Sequence, residues 1–170
     1  MSTSSLTCGL LSGGSAIPAP STPVIAHVDG CVGPGNPGAD AGIDIGPHPA
    51  ARGLVRGLCV AHPCTGRALW SNNAAEYEAV LVALRVLYRI GYHGPVVIRS
   101  DSQLVVKQYN GEYGCYEPPL VELLERLRRA AGYFDSLTLE WLPRDHNSRA
   151  DALARDGLEV ARRRAERAAS

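Results

Sequence analysis

Four acidic residues, Asp29, Glu76, Asp101 and Asp151, sit at the edges of apolar stretches rather than inside polar loops. Glu76 opens the apolar stripe of SNNAAEYEAVLVALRVLYRI, four residues before Val80 and seven before Ala83, so a helical period puts it on the buried side. Asp29 follows the β-prone run Val24 to Val28, Asp101 follows Val96 to Ser100, and Asp151 begins a helical face continued by Ala154 and Leu158. Burying an unpaired charge costs roughly several kcal/mol, and such groups persist when they are paired or hold a metal.

Each acid also has a local role open to it. Glu76 lies three residues after Asn73, the spacing of a capping box. Asp29 before Gly30 is a common turn signal, and Asp101 can cap the helix that follows it. Asp151 with Ser148 can form a box-like cap in a first turn, where carboxylates favour the helix dipole. Four such coincidences on elements that converge at one sheet edge point instead to a shared cause. Clustered carboxylates repel one another and rise in pKa unless a cation holds them. Oxygen ligands without an accompanying Cys or His set select magnesium or manganese. Two such ions about 3.5 to 4 Å apart are the device that cleaves phosphodiesters.

The elements that must position these acids can be read in order. Val24 to Val28 is a short strand with Ile25, His27 and Asp29 on one face. Ala41 to Ile45 and Leu54 to Ala61 are expected to continue it antiparallel. Ser71 to Ile90 is a helix ended by Gly91, Val96 to Ser100 a strand, and Ser102 to Tyr109 a short helix. Pro118 to Tyr133 is a helix with Arg126, Arg128 and Arg129 on its polar side. Leu137 to Leu142 is a strand, and a helix runs from Ser148 through Ala161 or further. This order indicates an α/β layer fold, in which chemistry gathers at the carboxyl ends of parallel strands.

Composition bounds the rest. A chain of 170 residues, 45% apolar and 20% charged, fits one domain with a full core. Its formal net charge is zero, with no Lys or Arg before Arg52 and a basic end, ARRRAERAAS, so any nucleic-acid groove is a local patch. Five irregularly spaced cysteines argue against a disulfide framework and for reduced thiols in a cytoplasmic protein. Cys59, His62 and Cys64 form a conceivable metal clip, but no second ligand pair lies at zinc-finger spacing. The first 23 residues form a low-complexity tail, expected to be disordered and dispensable for activity, without the features of a signal or transit peptide. No run of about 18 apolar residues is present, so no membrane helix is expected. The domain is placed at 24–160 and a basic C-terminal extension at 161–170.

The motifs VDG then GNPG, SNNAAEYEA, RSDSQLV and NSRADALA together resemble type 1 ribonuclease H, in a short form without the basic protrusion, from about Val24 to Leu158. The resemblance implies a ribonuclease H-like α/β fold with a five-stranded mixed sheet flanked by helices. It implies hydrolysis of the RNA strand of RNA/DNA hybrids, leaving 3′-hydroxyl and 5′-phosphate ends. By that resemblance Asp29, Glu76, Asp101 and Asp151 hold two Mg²⁺, for which Mn²⁺ can substitute. Asp29 would bridge both ions, Glu76 and Asp101 would serve the ion near the leaving group, and Asp151 would help the ion that activates water. Glu76 would also contact a ribose 2′-hydroxyl, the group that tells RNA from DNA. Asn72, Asn73 and Gln103 would read the hybrid minor groove, Asn36 would lie beside the RNA backbone, and Ser71 would belong to the pocket for a DNA phosphate.

Three departures accompany the match. The loop between VDG and NPG, CVGPG, carries one extra residue; the connection from Tyr109 to Pro118 is short and lacks a lysine-rich handle; and the loop before Asp151 lacks the GH motif. His146 is the nearest histidine, either an auxiliary group or an exposed loop residue. The expected partner is an RNA/DNA hybrid bound by a monomer, with no membrane. A catalytically weak or inactive hybrid-binding module on the same fold is the alternative. A related two-metal exonuclease is disfavoured, because the first strand carries Asp29 alone of the two acids usual there.

Overall fold

The computed structural model describes residues 22–32, 39–48, 58–62 and 71–168. Three strands, β1 (Val24–Val32), β2 (Ala39–Ile45) and β3 (Leu58–His62), precede helix α1 (Asn72–Arg89). Strand β4 (Val96–Ser100) then leads into helices α2 (Gln103–Tyr109) and α3 (Pro118–Ala131). Strand β5 (Leu137–Trp141), a single 3-10 turn (Arg144–His146) and helix α4 (Ser148–Ala168) complete the chain. The strands form one mixed sheet in the order β3-β2-β1-β4-β5. β1 pairs antiparallel with β2 and β2 with β3, whereas β1/β4 and β4/β5 are parallel.

Helix α1 has clear punctuation at both ends. The Ser71 hydroxyl accepts the Ala74 N–H at 3.2 Å, so Ser71 is the N-cap. At the other end Gly91, at φ 77°, donates to Tyr88 O while Tyr92 N–H donates to Leu87 O, both at 3.0 Å. These two bonds satisfy last-turn carbonyls in a Schellman closure that needs the left-handed conformation glycine allows. The capping box open to Asn73 and Glu76 is therefore not formed: the N-cap lies two residues earlier, and Glu76 lies too deep to reach a free amide of its own first turn.

Two glycines let the helices approach the sheet. A Cβ on Gly30 would meet the Ala75 backbone of α1, and one on Gly42 would meet Ala150 O and Ala154 N of α4. Because Asp29 pairs with Gly42 and Gly30 with Ala41, these contacts fall on opposite faces of the sheet. Helix α1, packed on β1, β2 and α3, covers one face, and α4 covers β2, β1 and β3 on the other. Tyr77, Leu84, Leu87, Ile98, Leu120 and Leu127 fill the core between α1, α3 and the sheet.

Several bounds differ from the sequence expectation. β1 does not end at Asp29 but continues to Val32, because β2 goes on pairing with it as far as Val32↔Ala39. α2 takes Ser102 rather than Asp101 as its N-cap position, with no side-chain cap bond. α3 stops at Ala131, and α4 continues the basic end as helix to Ala168. Residues 1–21, the GNPG motif and residues 54–57 lie outside the described residues. Among the described residues no helix is long and apolar enough to cross a membrane.

Candidate metal centre

The centre forms where β4 stops and β1 does not. Val24 N–H donates to Pro95 O on the β4 side and Ile25 O accepts from Gly46 on the β2 side, so even-numbered residues of β1 turn their backbone groups toward β4. Parallel pairing ends at Val28↔Ser100. Past that point the Val28 carbonyl and the Gly30 amide have no strand to pair with, and buried backbone groups must find partners. Asn147 Nδ2 donates to Val28 O at 2.8 Å, and Gly30 N–H donates to Glu76 Oε2 at 3.2 Å. Glu76 thus leaves its own helix terminus and reaches across to the strand that carries Asp29.

Asp101 arrives from the other side, on the turn between β4 and α2. Its carbonyl accepts the Trp141 indole N–H at 3.1 Å and its Oδ1 accepts from Asn147 Nδ2 at 3.1 Å, while Ser102 N–H donates to Ser100 Oγ at 3.1 Å. The result is a trio: one carboxylate oxygen each from Asp29, Glu76 and Asp101, all within 4.8 Å of one another. Asp29 is only 5% exposed.

Burial and mutual repulsion set the charge state of this trio. Asp29 is pushed up to about 6, first by burial and then by the charges of Asp101 and Asp151. Glu76 is pushed up to about 9, again chiefly by burial, then by Asp29 and Asp101, with the Gly30 amide opposing. Three hard oxygen donors that cannot all stay ionised unaided fit a divalent cation. The trio is therefore a candidate site for such an ion.

Asp151 does not join the three. Burial pushes its carboxyl up, but hydrogen bonds from Arg144 at 2.9 Å and Arg155 at 2.5 Å outweigh that and hold it below the usual range. Two guanidiniums hold the fourth acid outside the trio, at a place where it still raises Asp29 through space. Arg155 is its i+4 neighbour on α4, and Arg144 comes from the 3-10 turn.

Residues 51–157 match the family described as reverse transcriptase-like. The chain belongs to that family, and its matches within it include type 1 ribonuclease H proteins. It is 40% identical over 96 residues to ribonuclease HI of Halobacterium salinarum, covering 56% of this chain and 47% of that one. The crystal structure of RNase H1 from that archaeon superposes with a TM-score of 0.68 at 34% identity, covering 82% of this chain and 99% of that one. A ribonuclease H1 isolated from compost, solved in complex with an RNA/DNA hybrid, gives 0.68 at 29% identity, over 81% of this chain and 98% of that one. The chain spans about a third to two thirds of the length of the curated relatives it matches.

Around this ribonuclease H-like centre, the other expected site residues fall at helix starts. Ser71 caps α1, Asn72 and Asn73 occupy its first turn, and Gln103 opens α2, with Ser71, Asn72 and Gln103 exposed and Asn73 half-buried. His146 is exposed at the end of the 3-10 turn. Asn36, Cys64 and the side chains of Cys59 and His62 lie outside the described residues; Cys31 and Cys115 are half-buried. A groove of about 280 Å³ between α1 and α3, lined in part by Leu84, Tyr88, Arg126 and Tyr133, contains none of the acids.

Sequence reasoning missed two features. Asn147, 1% exposed, is bonded to both Val28 and Asp101, and only its place in NSRADALA hinted at it. Glu78, 3% exposed, accepts from Arg126 Nη1 at 2.7 Å, so one arginine expected on a solvated face is an internal partner. The signal was present: a second carboxylate two residues after Glu76 on a helix buried nearly all round.

Proposed function

We propose that the protein is an endonuclease that hydrolyses the RNA strand of RNA/DNA hybrids, using two Mg²⁺ ions for which Mn²⁺ can substitute. The observation that carries this reading is the carboxylate trio of Asp29, Glu76 and Asp101 at the end of the parallel strands. When bound, a pair of divalent cations supplies positive charge to the attacking and leaving oxygens of an in-line displacement.

The chain's own residues do the rest. Asp29, the most buried of the trio, would help to hold both ions. Glu76 and Asp101 would hold the ion that serves the leaving group. Asp151, now bonded to Arg144 and Arg155, would help to hold the ion that activates water. Glu76 also meets the ribose 2′-hydroxyl, which selects RNA over DNA at the cut. Asn72, Asn73 and Gln103, at the exposed starts of α1 and α2, donate to base edges in the minor groove, and Ser71 faces a phosphate of the DNA strand. The Arg144 side chain, 70% exposed beside the acids, adds a cation against the RNA backbone.

The test is an assay on labelled RNA/DNA hybrid, duplex RNA and duplex DNA with Mg²⁺. Only the RNA of the hybrid is cut, and Asp101→Asn loses at least about a hundredfold in rate, the loss of one positioned charge group in a dry site. Hybrid binding without metal-dependent cutting would instead identify a binding module, and full activity in Asp101→Asn would reject the assignment.

A further inference from the structure

Asn147 belongs to the short segment between β5 and α4, yet its side chain is 1% exposed and bonded to a residue 119 positions away. Its one amide nitrogen makes two donations, to Val28 O at 2.8 Å and to Asp101 Oδ1 at 3.1 Å. Its main-chain carbonyl accepts the Asp151 N–H at 3.1 Å. One residue therefore touches the strand position just before Asp29, the carboxylate of Asp101 and the backbone of Asp151. Glu76 is tied to β1 directly, through Gly30, and Asp101 and the backbone of Asp151 are tied to it through Asn147.

We infer that Asn147 is a positioning residue that sets the spacing and orientation of Asp29, Asp101 and Asp151 for divalent-cation binding. The inference rests on the reading of the trio as a cation site. Three observations favour it over a purely structural role.

First, one donor suffices to satisfy Val28 O, and the same nitrogen also holds an Asp101 oxygen, which fixes the plane of that carboxylate. Groups that orient metal ligands in this way commonly change metal affinity about 10- to 100-fold when removed. Second, the Asn147 Oδ1 atom is buried with no hydrogen-bond partner among the described residues. The side chain is thus buried with its own acceptor unmatched while both of its donations go to Val28 and Asp101. Third, the Trp141 indole at the end of β5 holds the Asp101 carbonyl, so β5 and the segment that follows it grip Asp101 at both backbone and side chain.

The experiment compares wild type with Asn147→Ala and Asn147→Asp. Alanine removes both donations; aspartate keeps the shape but turns an oxygen toward the Asp101 carboxylate. Folding is followed by circular dichroism, Mg²⁺ affinity by calorimetry without nucleic acid, and kcat and KM on hybrid. Folded variants are expected to bind Mg²⁺ about 10- to 100-fold more weakly and to lose kcat to a similar extent, with KM within about twofold. Mg²⁺ affinity equal to wild type in folded Asn147→Ala, or a loss confined to KM, overturns the inference.

Should neither variant fold, the wild-type protein decides by NMR. The Asn147 side-chain amide signals shift with the same Mg²⁺ dependence as the calorimetric binding if the inference holds. Signals that stay fixed while the ion binds overturn it. A wild-type protein that binds no divalent cation overturns the reading beneath the inference, and the inference with it, an outcome distinct from a variant that binds normally.

Discussion

Gly30 N–H and the Glu76 carboxylate are joined at 3.2 Å across 46 residues of sequence, so this acid of α1 is fixed to the strand carrying Asp29 and not to its own helix end. That bond exists because β1 outruns β4. It also requires α1 to lie against Gly30, where a Cβ would strike the Ala75 backbone. Gly30→Ala is accordingly expected to destabilise the fold by about 2–4 kcal/mol, since neither backbone can yield cheaply. A urea denaturation midpoint within about 0.3 M of wild type would contradict the packing described.

The pH dependence of the metal-free protein has a definite sign. Asp29 rises from 3.8 to about 6 and Glu76 from 4.5 to about 9 on folding, so in that window the folded state binds more protons than the unfolded chain. Their contribution to stability is full below about pH 4 and is lost as pH rises toward 9. Thermal melts in chelator should therefore show a falling melting temperature from neutral to alkaline pH. Mg²⁺ should restore it, most strongly at the alkaline end. Glu76→Gln, which removes the charge, should melt higher than wild type in chelator at pH 9 by roughly 3 °C or more, and an equal or lower value counts against the buried-charge account.

Glu76 shows what a sequence can and cannot disclose. Its anomaly, a carboxylate starting an apolar stripe, is visible from the helical period alone, as are the apolar positions of α1 and α3 and the strand before Asp101. The cap was not: Ser71 and Asn73 are both competent N-caps, and the register of α1 is decided by where Ala75 can pass over Gly30. Asn147 was hidden for a similar reason. An asparagine in a polar loop reads as a turn former, and its burial depends on an unequal length of two paired strands, which no local pattern encodes. The i,i+4 pairing of Asp151 with Arg155 was legible in principle, but the second guanidinium, from Arg144, depends on the 3-10 turn.

Arg144 and Arg155 oppose a divalent cation in two ways, by occupying Asp151 and by adding positive charge near Asp29. Arg144→Ala should tighten Mg²⁺ binding by about fivefold at low salt, the scale of one partly screened unit charge, with the gain shrinking at high ionic strength. Weaker Mg²⁺ binding in this variant would show that the guanidinium supports the centre rather than competing for it.

The pair of Arg126 and Glu78 lies between α3 and α1, away from the acids. Arg126→Met should lower stability by roughly 1–3 kcal/mol, less than a fully buried pair because about a third of the arginine side chain is exposed. Mg²⁺ affinity should not change. Equilibrium urea denaturation and calorimetry on one preparation separate the two effects, and an altered Mg²⁺ affinity would contradict the independence of the two clusters.

The most direct test of the centre itself is calorimetric titration of Mg²⁺ into folded wild type, Asp29→Asn, Glu76→Gln and Asp101→Asn without nucleic acid. If these three carboxylates form one cation site, wild type binds and each single variant loses more than about tenfold in affinity. A folded variant among the three that binds Mg²⁺ as wild type does, or a wild type that releases no heat and shows no stabilisation by the ion, would contradict it.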